Sequence, residues 1–296
     1  MPQSPELAGG EGFTFEGDAA AFYLAALLAE AYAPGIDDRI VVRVSVQQRD
    51  FGEPLDDVIV DFEDAAKNPA RLSLQAKRSL TISDAKTNTD FRDIIRDSWA
   101  TLKKPDFRIN ADRYGAAVGT ISPDKERAIK TLCDLARESL TAEHFYTRFA
   151  DGGNASDDIK TVKNDVVALL EEVAKGTPCA SKEVHQFLAH FVLIQFDFLR
   201  EGATAPPDAI NRIKDCLTPN AAAKAPLVWS RIVQLARASA GKSGQFDRAR
   251  LLRSISPMAR LRGATSFRLD LDKLTELTAF ARDFSRQQEC VHALPE

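Results

Sequence analysis

The side chains best suited to chemistry are concentrated in residues 53–79, EPLDDVIVDFEDAAKNPARLSLQAKRS. Two adjacent carboxylates, Asp56 and Asp57, precede the apolar triplet Val58-Ile59-Val60, a pattern that predicts a strand entered through negative charge. A second strand is predicted over 71–79, after a short polar connection containing Asn68-Pro69. Alternation along that strand sends Ser73, Gln75 and Lys77 to one side and Leu72, Leu74 and Ala76 to the other. Asp57 shares a face of its own strand with Ile59 and Asp61. Because neighbouring strands lie about 4.8 Å apart, a carboxylate, an amide oxygen and an ammonium can converge on one point. Hard oxygen ligands hold Mg²⁺ or Mn²⁺, and a cation beside a lysine neutralises charge that develops on a phosphate. A one-residue slip would exchange Asp56 for Asp57; the register that uses Asp57, directly before the triplet, is favoured. The plainer alternative is a surface hairpin in which Lys77 pairs with Asp57 and Gln75 bonds to backbone.

Such a point needs a scaffold, and the flanking segments supply one in order. After a polar, glycine-rich leader at 1–12, a helix is predicted from Phe15 to about Ala33, with Ala20, Tyr23, Leu27 and Ala31 on one stripe and Pro34-Gly35 as its stop. Glu16 lies one turn before that stripe. It is either a third acidic ligand delivered by the helix or, with Asp18 as the N-cap, a carboxylate attracted to the positive helix end. Residues 39–47, RIVVRVSVQ, alternate as a first strand. Residues 85–104 read as an amphipathic helix with Phe91, Ile94, Ile95, Trp99 and Leu102 inward, and 114–122 as a fourth strand. Arg92, Arg96, Lys103 and Lys104, interleaved with Asp93 and Asp97, either touch phosphates or form pairs along the helix.

The words PLDDVIVDF, LSLQAKRSL and DFRDIIRDSW, with Asp followed by Gln-x-Lys on the next strand, resemble the PD-(D/E)XK restriction-endonuclease-like superfamily. In particular they resemble the DNA endonuclease domain of CD-NTase-associated effectors and other bacterial anti-phage proteins. The resemblance implies an α/β fold with an αβββαβ core over residues 1–150. It implies a metal-dependent endonuclease that hydrolyses duplex DNA with little sequence specificity and is controlled by assembly, as a homo-oligomer or within a larger defence complex. It makes Asp57 the principal Mg²⁺ (or Mn²⁺) ligand with Glu16 and Gln75 beside it and Asp56 available. Lys77 would orient the attacking water and pair with the scissile phosphate. Gln75 replaces the acidic residue usual in that superfamily, which lowers the negative charge offered to a metal. The alternative keeps the fold without the activity, as a nuclease-like DNA-binding or oligomerisation module.

The remaining chain, 151–296, is expected to be mostly α-helical. Residues 151–156, DGGNAS, mark a linker, and helices are predicted at 157–175, 181–191, 206–216, 221–239 and 246–256. The run at 191–198, FVLIQFDF, fits either a strand or the end of a buried helix. A winged-helix-like unit is placed at 225–271. Gly241 reads as a helix C-cap, because Ala236 stands where a phosphate-binding loop would need glycine. The end at ECVHALPE reads as part of a longer effector.

Composition excludes several classes. The chain has 296 residues and a net charge of −4, so it is not coated in positive charge. The charge is nevertheless segregated: residues 1–70 are acidic on balance, while 71–113 and 241–268 are basic, an arrangement that can steer a polyanion. Cys133, Cys179, Cys216 and Cys290 lack metal-ligand spacing and suit reduced thiols. No apolar run reaches the ~18 residues of a membrane helix, and a cytoplasmic location with no membrane partner is expected.

Overall fold

The computed structural model describes residues 5–198, 202–239, 242–255, 259 and 261–262, with side chains from Thr14 onward. The expected core order is present: α1 (Pro5–Ala29), β1 (Ile40–Val46), β2 (Val58–Glu63), β3 (Pro69–Leu80), α2 (Thr89–Leu102) and β4 (Arg113–Ile121). It continues with α3 (Pro123–Glu138), α4 (Ala142–Thr147), α5 (Asp157–Val173), α6 (Ser181–His190), β5 (Phe191–Gln195), α7 (Ala205–Cys216), α8 (Ala225–Ser239), β6 (Gln245–Asp247) and α9 (Arg248–Ile255). The strands form one six-stranded sheet in the order β5-β4-β3-β2-β1-β6. β1, β2, β3 and β6 pair antiparallel, whereas β3–β4 and β4–β5 pair parallel.

Strand alternation divides the hydrophobic residues between two cores. Val44, Val58, Val60, Phe62, Leu72 and Leu74 point to one face, where α1 covers them and α7, α8 and α9 pack around α1. Tyr114, Ala116, Val118, Phe191 and Leu193 point to the other, under α2, α3 and α6. That second face is apolar mainly over β4, β5 and the end of β3, with Ile59 as an apolar residue on β2. Over β1 and β2 it carries Arg43, Ser45 and Asp61, which no apolar helix face could cover.

α1 departs from the expected single stripe. Residues 19–28 are buried on every side, because the helix lies between the sheet and α7–α8. Its start at Pro5 also removes Asp18 as an N-cap. Asp18 is buried inside the helix and accepts three hydrogen bonds from Arg237 of α8 at 2.7–3.0 Å. Gly17 permits this, since a Cβ there would stand 2.6 Å from Arg237 Cγ. The helix ends at Ala29 rather than Ala33, and Ala31 and Tyr32 turn the chain towards β1.

Three further expectations are refined. The ambiguous run at 191–198 is strand β5, which joins β4 through a close approach at Gly115: a Cβ there would lie 1.8 Å from Val192 O. The segment expected as a helix from 246 opens as β6, paired with β1, so the sheet draws on both sides of the boundary expected at 150. Of the winged-helix-like unit at 225–271, the described part includes α8, β6 and α9, with β6 belonging to the main sheet; residues 240–241, 256–258, 260 and 263–271 lie outside the described residues, the expected C-cap Gly241 among them. Much of the basic 241–268 stretch, and Cys290, also lie outside them. Cys133, Cys179 and Cys216 are free thiols.

Candidate metal and phosphate site

β3 pairs with β2 only as far as Leu74 but with β4 as far as Leu80. Past Leu74 its β2-side edge therefore opens into a notch, and the chain places its polar side chains there. Because Val58 lies opposite Leu74, Asp57 falls opposite Gln75. Asp57 Oδ2 accepts from Gln75 Nε2 and, at 2.7 Å, from the Ala76 backbone N–H. From the other side α1 delivers Glu16, whose Oε2 accepts from Gln47 Nε2 at 3.2 Å at the end of β1. Glu16 is thus a mid-helix carboxylate directed at the sheet edge rather than one near a helix start.

Two oxygens in this notch are buried with no hydrogen-bond partner: Glu16 Oε1 and Gln75 Oε1. Leaving a buried polar atom unpaired costs about 1–3 kcal/mol, so the fold carries an unsatisfied demand at this point. The electrostatics agree. Burial, with the Asp57 carboxylate and, more weakly, Asp56, pushes Glu16 up to about 8, against the bond from Gln47. Burial, reinforced by Asp56, pushes Asp57 up to about 6, although the Ala76 N–H, Lys77 and Arg49 pull the other way. The two carboxyls feel one another, and a cation would relieve both.

Asp56 is not part of this donor set. It is held by Arg49, whose Nη2 and Nε donate to Oδ1 at 2.8 and 3.2 Å, so it contributes charge rather than a ligand atom. The rotation follows from the pleat, which sends neighbouring residues to opposite sides. Lys77 does not pair with Asp57, and Gln75 donates to the Asp57 carboxylate rather than to backbone, so the plainer hairpin is not what forms. Lys77 Nζ reaches Asp90 Oδ1 at 2.7 Å in the first turn of α2 and stays close enough to lower the Asp57 pKa. Among the described residues, no group of three or more His, Cys, Asp or Glu side chains stands close enough to hold a metal by itself. The side chains that meet at the notch are two carboxylates and an amide, with Gln75 facing Asp57 through Nε2 and its Oε1 unpaired; oxygen donors of this kind suit a hard cation such as Mg²⁺ or Mn²⁺ and not a soft one.

The other polar groups considered as candidates are occupied. Arg92 pairs with Glu172, Arg96 with Asp93 and Asp97, Lys103 with Glu183, and Lys104 with Glu53. Only Arg96 pairs within its own helix. His185 and His190 bond backbone carbonyls. Sequence reasoning did not find Gln47, Arg49 or Asp90, which hold Glu16, Asp56 and Lys77 respectively. Arg49 is seven residues from Asp56 in a visible turn and was within reach of a local reading. Gln47 and Asp90 lie 31 and 13 residues from the groups they bind and gave no local signal.

No family model matches the chain and no curated protein sequence matches it. Among solved structures, the Moraxella osloensis Cap4 SAVED/CARF-domain containing receptor is 16% identical with a TM-score of 0.43, over 84% of this chain and 47% of that one. The corresponding Acinetobacter baumannii receptor is 12% identical with a TM-score of 0.46, over 83% and 46%. Its complex with the cyclic trinucleotide 3'3'3'-cAAA gives 12% and 0.45, over 83% and 47%. This chain spans about half the length of the solved chains it matches. Likeness at this level is a loose similarity of chain path. No helix among the described residues is long and apolar enough to cross a membrane.

Proposed function

We propose that the chain is a metal-dependent DNA endonuclease, the effector part of a bacterial anti-phage defence protein. The observation that carries the reading is the notch itself: Glu16, Asp57 and Gln75 meet at one sheet edge with two buried oxygens unpaired. An inert hairpin has no reason to maintain that cost. Asp57, Glu16 and the Gln75 oxygen would hold Mg²⁺ or Mn²⁺. A bound divalent cation would lower the pKa of a coordinated water and offset charge on the phosphate.

The chain's own groups account for the rest. The Ala76 N–H fixes the Asp57 carboxylate on its Oδ2 side, which leaves Oδ1 for coordination. Lys77 supplies a positive charge two residues along β3 from Gln75, and its stem is long enough to swing from Asp90 to a phosphate entering the notch. Arg49 keeps Asp56 from folding into the donor set.

The test is cleavage of supercoiled plasmid in Mg²⁺, Mn²⁺ or EDTA. Activity should require the cation, vanish in Asp57→Asn, and fall by about 10²–10³ in Lys77→Ala, the usual cost of losing one charge-stabilising donor. Specific activity should also rise with protein concentration if assembly controls it. The second reading, an inactive DNA-binding or oligomerisation module, draws on the Gln75 substitution and on the Lys77–Asp90 pair. It prevails if DNA binds with a steep salt dependence but no cation yields cleavage.

A further inference from the structure

The uncovered half of the second sheet face is a groove of about 600 Å³ lined by five arginines, Arg43, Arg71, Arg108, Arg250 and Arg253. Three are braced. Arg43 and Arg71 share the two oxygens of Asp61 at 2.7 and 2.8 Å, Arg71 also reaches Glu53 at 3.0 Å, and Arg108 is paired with Asp112. A guanidinium held by a carboxylate on one edge keeps its remaining N–H groups in a fixed direction, which suits a phosphate.

The other two come from α9. Its buried residues Leu251 and Ile255 face the core, and this turns Arg250 and Arg253 outward, one turn apart. Arg250 stacks over Phe246 with its Cζ 4.8 Å from the ring centroid and donates to Gln245 O. Neither arginine has a carboxylate partner among the described residues. Three acidic side chains line the same groove: Asp61 is held between Arg43 and Arg71, Glu63 pairs with Lys67 at 3.1 Å, and Asp247 accepts from the Arg250 backbone N–H at 2.6 Å. On a chain of net charge −4, five arginines against these three carboxylates leave the lining with a local excess of positive charge.

Its place in the fold gives it direction. Asp57, Ile59 and Asp61 lie on one side of β2, so the groove begins about 13 Å from Asp57 along the same strand face, at ~3.3 Å per residue. A smaller depression over Ile59, lined by Arg43, Gln48, Glu53 and Arg71, fills the interval.

We infer that this groove, completed by β6 and α9 from outside the αβββαβ core, binds the phosphodiester backbone of a DNA duplex beside the bond presented to Asp57. The direction of the track rests on the nuclease reading, whereas the binding is measurable without it. The experiment is a fluorescence-anisotropy titration of a fluorescein-labelled duplex with the full chain in EDTA, across a series of KCl concentrations. Each neutralised phosphate contributes about 0.9 to the slope of log K against log salt. The double variant Arg250→Gln/Arg253→Gln should therefore bind more weakly with a slope shallower by about 1–2. Arg127→Gln, on the exposed surface of α3, should match the unaltered chain. An unchanged slope in the double variant overturns the inference, as does failure of the unaltered chain to bind duplex at low salt. Tighter binding of a single-stranded oligonucleotide through the same two arginines overturns the assignment to duplex. Binding with the expected slope change but no cleavage in Mg²⁺ sustains the groove and removes the nuclease reading. Cleavage with an unaltered slope does the reverse.

Discussion

Glu16 gives the most direct way to measure the tension in the notch, because its proton reports both burial and the neighbouring carboxylates. With the folded-state value raised from 4.5 to about 8, the folded chain keeps a proton that the unfolded chain releases. The unfolded state binds fewer protons between these values, so stability is highest below about pH 4.5 and falls as pH rises towards 8. At pH 7 the loss is about 1.36 kcal/mol for each of some 2.5 pH units, or about 3 kcal/mol. Glu16→Gln preserves shape and cannot ionise, so it should match the unaltered protein near pH 5 and exceed it by about 3 kcal/mol at pH 7. The assay is urea unfolding followed by circular dichroism in EDTA at pH 5, 6, 7 and 8. A stability difference that stays flat across the series would refute the argument, because it would mean that Glu16 titrates as an ordinary surface carboxylate. Saturating Mg²⁺ should narrow the gap at pH 7 and above, since a cation bound only by the folded state stabilises the unaltered chain more than the variant.

The same coupling requires Mn²⁺ affinity, followed by electron paramagnetic resonance, to strengthen as pH rises through about 6 and level off above about 8, where Asp57 and Glu16 have released their protons. An affinity independent of pH would exclude these two carboxyls as ligands. Asp18→Ala should cost about 1–2 kcal/mol by denaturant midpoint, less than a fully buried pair, because the half-exposed Arg237 left behind can rehydrate. Gly115→Ala should cost more than about 4 kcal/mol or prevent folding, since the added methyl would occupy the position of Val192 O; soluble expression and a melting scan decide it.

Local pattern was enough to define the helix–strand order from α1 to β4. RIVVRVSVQ and LSLQAKRSL alternate, DVIVDF carries an apolar triplet, and a strand with one buried face must place its apolar set towards the core, which fixes the side to which Asp57, Gln75 and Lys77 point. Two carboxylates next to a Gln-x-Lys strand were therefore visible as a candidate donor set. Their partners were not visible. Whether Glu16 faced water or the sheet depended on where α1 begins and on what covers it, and α7 and α8 decide the latter from about 190 to 220 residues away. Asp56 left the donor set because Arg49 holds it, and Lys77 turned aside because the first turn of α2 brings Asp90 within reach. The strand character of 191–195 and 245–247 likewise required edges of an existing sheet to pair with, since a short apolar run satisfies either secondary structure until a neighbour offers hydrogen bonds. Alternation and spacing act over a few residues and so can be read from the chain. Burial, charge pairing and unpaired oxygens are properties of the space between elements, and only the assembled fold creates that space.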